Sequence, residues 1–321
     1  MEREIGIVGL GYWGKNILRN LYELKVVRTA CDFNEEIIKE RKKTFPDINY
    51  TTYYEDLLED PNIKGIVVAT PSITHYALSK KALLAGKDVL VEKPMTTSLK
   101  EGEELVNLAD KNGLILMVGH ILHYHPAVKR MKELILKGLI GKILYIYSNR
   151  VNIGKLRTDE NVWWSLAPHD ISLILMLAQS NVINFIYNGT SHISKGIDDI
   201  ALASLEFENG IKAHIFVSWW HPFKEQRLVV IGEKGMIVFD DVSKEKLFYY
   251  SHKVEWINNI PIAKKGDLEV IKIEEKEPLK EELRHFWECI KERKKPETDG
   301  YEGLRVLEVL EKCQNSIKVV N

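Results

Sequence analysis

The sequence predicts an α/β protein in two parts: an N-terminal doubly wound parallel sheet, and a C-terminal α+β domain with a large, mostly antiparallel sheet. Three observations carry this. Short apolar runs alternate with helix-length segments as far as residue 119, the pattern of a parallel sheet covered by helices. The first run ends in Gly9-Leu10-Gly11-Tyr12-Trp13-Gly14, a G-x-G-x-x-G that opens a helix. From residue 142 the chain becomes strand-rich, with Asn209-Gly210 as a hairpin turn signal.

The elements follow in order. Residues 5–8 are a continuous apolar run, as a strand buried on both faces requires. A helix follows, with Ile17, Leu21 and Leu24 at helical spacing. Residues 26–31, 65–69, 88–91 and 114–119 are further strands. Between them, Leu78, Ala82 and Ala85 mark one helix face, and Leu105 and Leu108 another. The latter helix is opened by the capping box of Ser98 and Glu101. Residues 120–125 read as a connector, and Pro126 suits the first position of a helix to residue 137. Strands are expected at 143–151, 183–191, 200–207, 211–219, 227–231 and 236–239, with a helix inserted at 168–179. A final helix follows Asp299-Gly300, with Val306, Val309, Leu310, Cys313 and Ile317 on one stripe. The expected domains are 1–121 and 122–321, the C-terminal helix packing back on the first.

Composition bounds the function. With 321 residues the chain is long enough for two cores. A net charge of −1 with no basic block excludes the electrostatic footprint of a nucleic-acid binder. No apolar stretch of about 18 residues occurs, and the N-terminus reads as a strand and turn, not a signal peptide. Cys31, Cys289 and Cys313 have neither disulfide nor zinc-ligand spacing and read as small buried hydrophobes. A cytoplasmic protein with no membrane partner is expected.

The glycine motif allows a tight turn and close approach of the backbone to a pyrophosphate at a helix N-terminus. Its alternative is a purely structural turn. Asp32, about 20 residues on at the end of the second strand, favours the dinucleotide. Its carboxylate suits ribose hydroxyls and repels a 2′-phosphate, and Phe33-Asn34 supplies no arginine, so the expected cofactor is NAD. Glu92-Lys93-Pro94 ends a strand at the carboxyl edge of the sheet. An ammonium there can orient a ribose and polarise a substrate hydroxyl; the alternative is a surface lysine. In Ala167-Pro168-His169-Asp170, Pro168 is expected in the first helical turn. That would set His169 at a helix N-terminus, whose dipole keeps the ring neutral, with Asp170 capping free N–H groups. His120, His123 and His125 have uneven gaps and no accompanying carboxylate or cysteine, so no metal is expected; His120 is placed near the cofactor. Trp163-Trp164 and Trp219-Trp220 are expected to serve packing, with Trp163 open to a sugar.

Gly9 to Gly14, Asp32, Ala69-Thr70-Pro71, Glu92-Lys93-Pro94 and Ala167 to Asp170, in this order, resemble the glucose–fructose oxidoreductase/inositol dehydrogenase (Gfo/Idh/MocA) family. Gly232-Glu233-Lys234-Gly235-Met236 and the Asp299-Gly300 helix extend the likeness over nearly the whole chain. The resemblance implies a Rossmann domain, a second domain whose sheet builds dimers or tetramers, and catalysis shared by Lys93 and His169, with the Lys93–Pro94 bond cis. The expected cofactor-binding set is Gly9, Gly11, Tyr12, Trp13, Gly14, Asp32, Thr70, Pro71, His75, Glu92, Lys93 and His120. The substrate set is Lys93, Asn152, Lys155, Arg157, Trp163 and His169. Many members carry an aspartate four residues before the histidine; here that residue is Ser165. In this the run resembles the branch that oxidises the 3-hydroxyl of UDP-N-acetylglucosamine or its uronic acid. Other readings are a dehydrogenase of a free sugar or polyol, a glycosidase using NAD transiently, and a non-catalytic NAD-binding regulator.

Overall fold

The computed structural model describes residues 3–154, 156–158 and 160–316. The first part of the chain contains β1 (Ile5–Val8), α1 (Gly14–Glu23), β2 (Val27–Cys31), α2 (Glu35–Thr44), β3 (Asn49–Thr51), α3 (Glu55–Glu59), β4 (Gly65–Val68), α4 (His75–Leu84), β5 (Asp88–Glu92), α5 (Leu99–Asn112) and β6 (Leu116–Gly119). Its strands lie in the order β3-β2-β1-β4-β5-β6, all pairs parallel. β1 and β4 are buried at every residue, because helices cover both faces. Parallel strands send all their carboxyl ends to one edge. The order reverses at β1 and β4, which opens a crevice there. Ser98 caps α5 by accepting the Glu101 N–H, and Gly113 ends it at φ +64°.

The chain continues with α6 (Pro126–Leu136), β7 (Ile143–Ile153), α7 (Val162–Ala178), β8 (Val182–Thr190), β9 (Ile200–Phe207), β10 (Lys212–Ser218), β11 (Trp220–Gly232), β12 (Met236–Asp240), β13 (Leu247–Tyr250), β14 (Lys253–Ile257), β15 (Ile260–Lys264) and β16 (Leu268–Val270). Eight of these strands form a sheet in the order β16-β13-β12-β11-β7-β10-β9-β8. The β7–β10 pair is parallel and the others are antiparallel. Ala213, Ile215 and Val217 alternate as the buried face of β10, with Ala201, Ala203 and Leu205 beside them on β9. β14 and β15 form a separate hairpin, turned by Asn258 and Asn259 at positive φ. α8 (Pro278–Glu292) and α9 (Gly300–Asn315) close the chain.

Two compact units result. Residues to Tyr124 with Lys276–Leu307 form one, and His125–Glu275 with residues from Glu308 form the other. The first boundary lies between Tyr124 and His125, where 121/122 is expected, and the return to the first unit, expected of the C-terminal helix, takes in α8 and the first half of α9. The reason is apolar: Leu279, Leu283, Phe286 and Cys289 of α8 share a buried cluster with Ile5, Ile7, Leu90 and Met117. Val306, Val309, Leu310 and Cys313 of the final stripe are buried, and Ile317 lies outside the described residues. All three cysteines are buried and free. Among the described residues no helix is long and apolar enough to cross a membrane.

Candidate functional site

In the first unit the site begins where β1 runs into the glycine turn. Gly9 has φ +93°, and a Cβ there would lie 2.5 Å from the Ala69 carbonyl oxygen. A Cβ on Gly14 would lie 1.9 Å from the Gly9 oxygen, whereas one on Gly11 would meet nothing within 4 Å. The turn is therefore closed on its inner side and open on the outside, at the N-terminus of α1. This is the cradle a pyrophosphate requires. Asp32 binds the turn to β2: its Oδ2 accepts the Leu10 N–H at 2.7 Å and its Oδ1 the Asn34 N–H at 2.9 Å. Each oxygen keeps a second lone pair for a ribose hydroxyl. Tyr12 is exposed, and Lys15 lies over its ring.

The structure also brings Arg41 of α2 to this turn, which sequence spacing did not indicate. Its Nε donates to the Leu10 carbonyl at 3.2 Å, and its Nη1 lies 2.8 Å from the exposed Glu40.

Lys93 follows the carboxyl end of β5 and is half-buried; its bond to Pro94 is cis, as the resemblance implies. Glu92 directs its Oε1 to the Trp13 indole N–H at 2.6 Å. His75 has its Nδ1 2.8 Å from the Pro94 carbonyl and its Nε2 2.9 Å from the Thr70 carbonyl. Burial holds its imidazole below the usual range, although both carbonyls oppose the shift. The expected cofactor contact of His75 gives way to a brace between the chain after β4 and the chain after β5. Thr70 bonds to Thr74 through their hydroxyls at 2.6 Å, and Pro71 is exposed.

His120 is buried with Nδ1 2.5 Å from Glu302 Oε2, and His123 Nε2 is 3.9 Å from the other oxygen. His125 instead caps α6, accepting the Ala127 N–H at 3.1 Å. Among the described residues no three metal-ligating side chains converge. Glu282 of α8 is a buried carboxyl that sequence reading missed. Burial, and Glu92 nearby, push it well above the carboxylate range.

In the second unit the histidine sits differently from expectation. α7 starts at Val162, capped by Asn161, whose side chain accepts the Trp164 N–H at 3.0 Å. Pro168 is thus inside the helix and removes only its bond to the Trp164 carbonyl. His169 lies beyond the first turn, so the helix dipole does not set its protonation as expected. Nor is Asp170 a cap. It is buried, accepting the Ser148 hydroxyl at 2.6 Å and both Arg150 Nε at 2.7 Å and Nη2 at 3.1 Å. Burial opposes the Arg150 charge, but the Asp170 carboxylate outweighs it and holds the guanidinium above its usual range. This pair fixes α7 on β7 beside His169. Ser165 and His169, four residues apart on the helix, share a face.

Trp163 does not face solvent. It is wholly buried, donating to the Leu310 carbonyl at 3.2 Å and meeting Tyr187 edge-on, so the sugar-stacking expectation is corrected to packing. Trp219 is buried and Trp220 exposed. Asn152 is half-buried near the end of β7, its Oδ1 enclosed with no partner among the described residues. Arg157 is ion-paired with Glu160 at 2.9 Å, and Lys155 lies outside the described residues.

Comparison with known proteins agrees with this architecture. Residues 3–120 match the model of the "Oxidoreductase family, NAD-binding Rossmann fold", and residues 128–238 match that of the GFO/IDH/MocA C-terminal domain. The chain is 24% identical to a UDP-N-acetylglucosamine 3-dehydrogenase of Acidithiobacillus ferrooxidans, over 94% of this chain and 93% of that one. It is 26% identical to a scyllo-inositol 2-dehydrogenase (NAD(+)) of Bacillus subtilis, over 99% and 95%. The solved structure of the Acidithiobacillus ferrooxidans UDP-N-acetylglucosamine 3-dehydrogenase GnnA superposes with a TM-score of 0.86 at 23% identity, covering 98% of this chain and 97% of that one. The first unit is an NAD-binding Rossmann domain. With both models matched in chain order over more than two thirds of its residues, the chain belongs to the Gfo/Idh/MocA family of oxidoreductases.

Proposed function

We propose that this protein is an NAD-dependent dehydrogenase that oxidises the 3-hydroxyl of a UDP-N-acetylhexosamine, UDP-N-acetylglucosamine or its uronic acid, to a 3-keto sugar. The observation that carries the reading is Ser165 one turn before His169 on α7, where an inositol-type site would place a carboxylate. His169 then takes the hydroxyl proton unaided by that acid, while Lys93 orients and polarises the hydroxyl. The nicotinamide supplies the hydride acceptor. Gly9, Gly11 and Gly14 admit the pyrophosphate, and Asp32 receives the ribose hydroxyls. Asn152, Lys155 and Arg157 are assigned to the substrate, the last two to its diphosphate.

The test is single-turnover NADH formation with these two nucleotide sugars beside free N-acetylglucosamine and inositol. Arg157→Ala is expected to raise KM for the nucleotide sugar more than it lowers kcat. Reduction of NAD by inositol or the free sugar alone overturns the assignment. That outcome would establish the second reading, a polyol dehydrogenase. It is favoured by the Arg157–Glu160 pair, which leaves the loop less cationic than a diphosphate needs, and by the similar identity to the inositol enzyme.

The cofactor preference is checked separately. Asp32→Ala is expected to weaken NAD binding and narrow the gap to NADP, because it removes both the ribose acceptor and the charge that repels a 2′-phosphate. Equal affinities in the unaltered protein would refute that role. The strands of the second unit also expose Ile183, Ile186, Leu202, Trp220 and Phe223. Exposed apolar side chains in this number favour self-association. A dimer or tetramer through that face is expected, and sedimentation of a monomer at micromolar concentration would count against it.

A further inference from the structure

The carboxylate of Glu92 reaches between two segments that the sequence keeps far apart. In front of it is the indole of Trp13, which donates at 2.6 Å from the capping position of α1, inside the glycine turn. Below it is Gly119, the residue paired with Glu92 across β5 and β6. A Cβ on Gly119 would lie 3.1 Å from both Cδ and Oε2 of Glu92, so the glycine leaves the space the carboxylate fills. Its Oε2 also lies 3.3 Å from the Lys93 backbone nitrogen. Burial pushes this carboxyl up, against the opposing pull of the Trp13 bond and the Lys93 charge. Trp13 itself is 38% exposed, so the bond is made by an indole that the hydrophobic core does not hold.

We propose that Glu92 is a positioning residue that clamps Trp13 of the glycine turn to the end of β5, so that the dinucleotide cradle and the backbone of Lys93 are held in one register by a single carboxylate. This rests on the reading that the turn binds NAD and that Lys93 acts on the substrate. It replaces a direct cofactor contact by the Glu92 side chain with an indirect one. It also gives Gly119 a reason: a Cβ there would press on the carboxylate, which must give by a few tenths of an ångström.

The experiment is a double-mutant cycle on NAD affinity, read by titration calorimetry of the full chain. Glu92→Ala removes the acceptor and Trp13→Phe removes the donor while keeping a ring. Each is expected to weaken NAD binding about ten-fold, and the double variant no more than either alone, because both break the same bond. Glu92→Gln retains an acceptor oxygen and is expected to recover most of the affinity, whereas Glu92→Leu, which keeps the volume without an acceptor, is expected to stay as weak as Glu92→Ala. Gly119→Ala should weaken binding in the same sense without changing either partner. Losses that add in the double variant, or a Glu92→Gln variant as weak as Glu92→Ala, overturn the clamp. If Glu92→Ala does not fold, Trp13→Phe and Glu92→Gln decide: the clamp falls if Trp13→Phe binds NAD as tightly as the unaltered protein. Failure of the underlying reading looks different. The unaltered protein would then show no NAD binding, or Lys93→Ala would keep its turnover.

Discussion

Lys93→Ala is expected to lose most turnover while still binding NAD. The glycine turn and Asp32 that hold the dinucleotide are untouched, and the bonds between Asp32 and the Leu10 and Asn34 backbone remain. What disappears is the ammonium proposed to orient and polarise the reacting hydroxyl. A group in acid–base catalysis typically contributes about 10²–10⁴-fold, so kcat should fall by that order. His169→Asn should fall similarly, and the ascending limb of the pH–rate profile should vanish with it, since that limb reports the proton acceptor. Steady-state rates with the substrate found by single-turnover screening, beside NAD titrations, check both. A Lys93→Ala variant with near-normal kcat would make the lysine structural, and a His169→Asn variant at full rate would send the proton elsewhere.

The second large effect concerns folding. Arg150 and Asp170 are both buried and joined by two hydrogen bonds, with Ser148 taking a further place on Asp170 Oδ1. Arg150→Ala leaves a buried carboxylate without its cation, which typically costs about 3–5 kcal/mol. The expected result is a large fall in the urea midpoint for the second unit, with little change for the first. Replacing both partners with apolar residues of similar volume, as in Arg150→Met with Asp170→Leu, should recover much of the stability. The reason is that the desolvation of both charges is removed together. Recovery of stability without recovery of turnover would show that the pair also sets the position of His169 on α7. A loss below about 1 kcal/mol for Arg150→Ala, the range of an exposed pair, would show that the pair does not fasten the helix.

The two predictions differ in how far the sequence leads to them. The strand-to-glycine turn, Asp32 and Glu92-Lys93-Pro94 are local patterns. Their chemistry follows from position on a parallel sheet, whose strand ends all meet one edge, so a short apolar run and its next few residues suffice to place them. Most elements are legible for the same reason: period-2 and period-3.6 patterns report which side is buried. α2 has no buried residue and hence no apolar stripe, and β3, α3 and the strands β13 to β16 are too short for a period to show; α8 does carry a stripe, Leu279, Leu283, Phe286 and Ile290, that sequence reading missed. The start of α7 was misplaced because Pro168 reads as a helix opener. Asn161, seven residues earlier, is the actual cap.

Local patterns suffice for the doubly wound first sheet, the mostly antiparallel second sheet, the dinucleotide turn and the lysine at the strand edge. Each of these depends on residues within a few positions of one another. Contacts distant in sequence settled that α8 joins the return to the first unit, that Asp170 answers Arg150 and not a helix end, and that Trp163 is core. They likewise decided that Glu92 takes the Trp13 indole and that Arg41 reaches the glycine turn. These are pairings across 20 to more than 270 residues of chain. A buried charge or polar group must find a partner, but nothing in its own neighbourhood of sequence says which one the fold will bring.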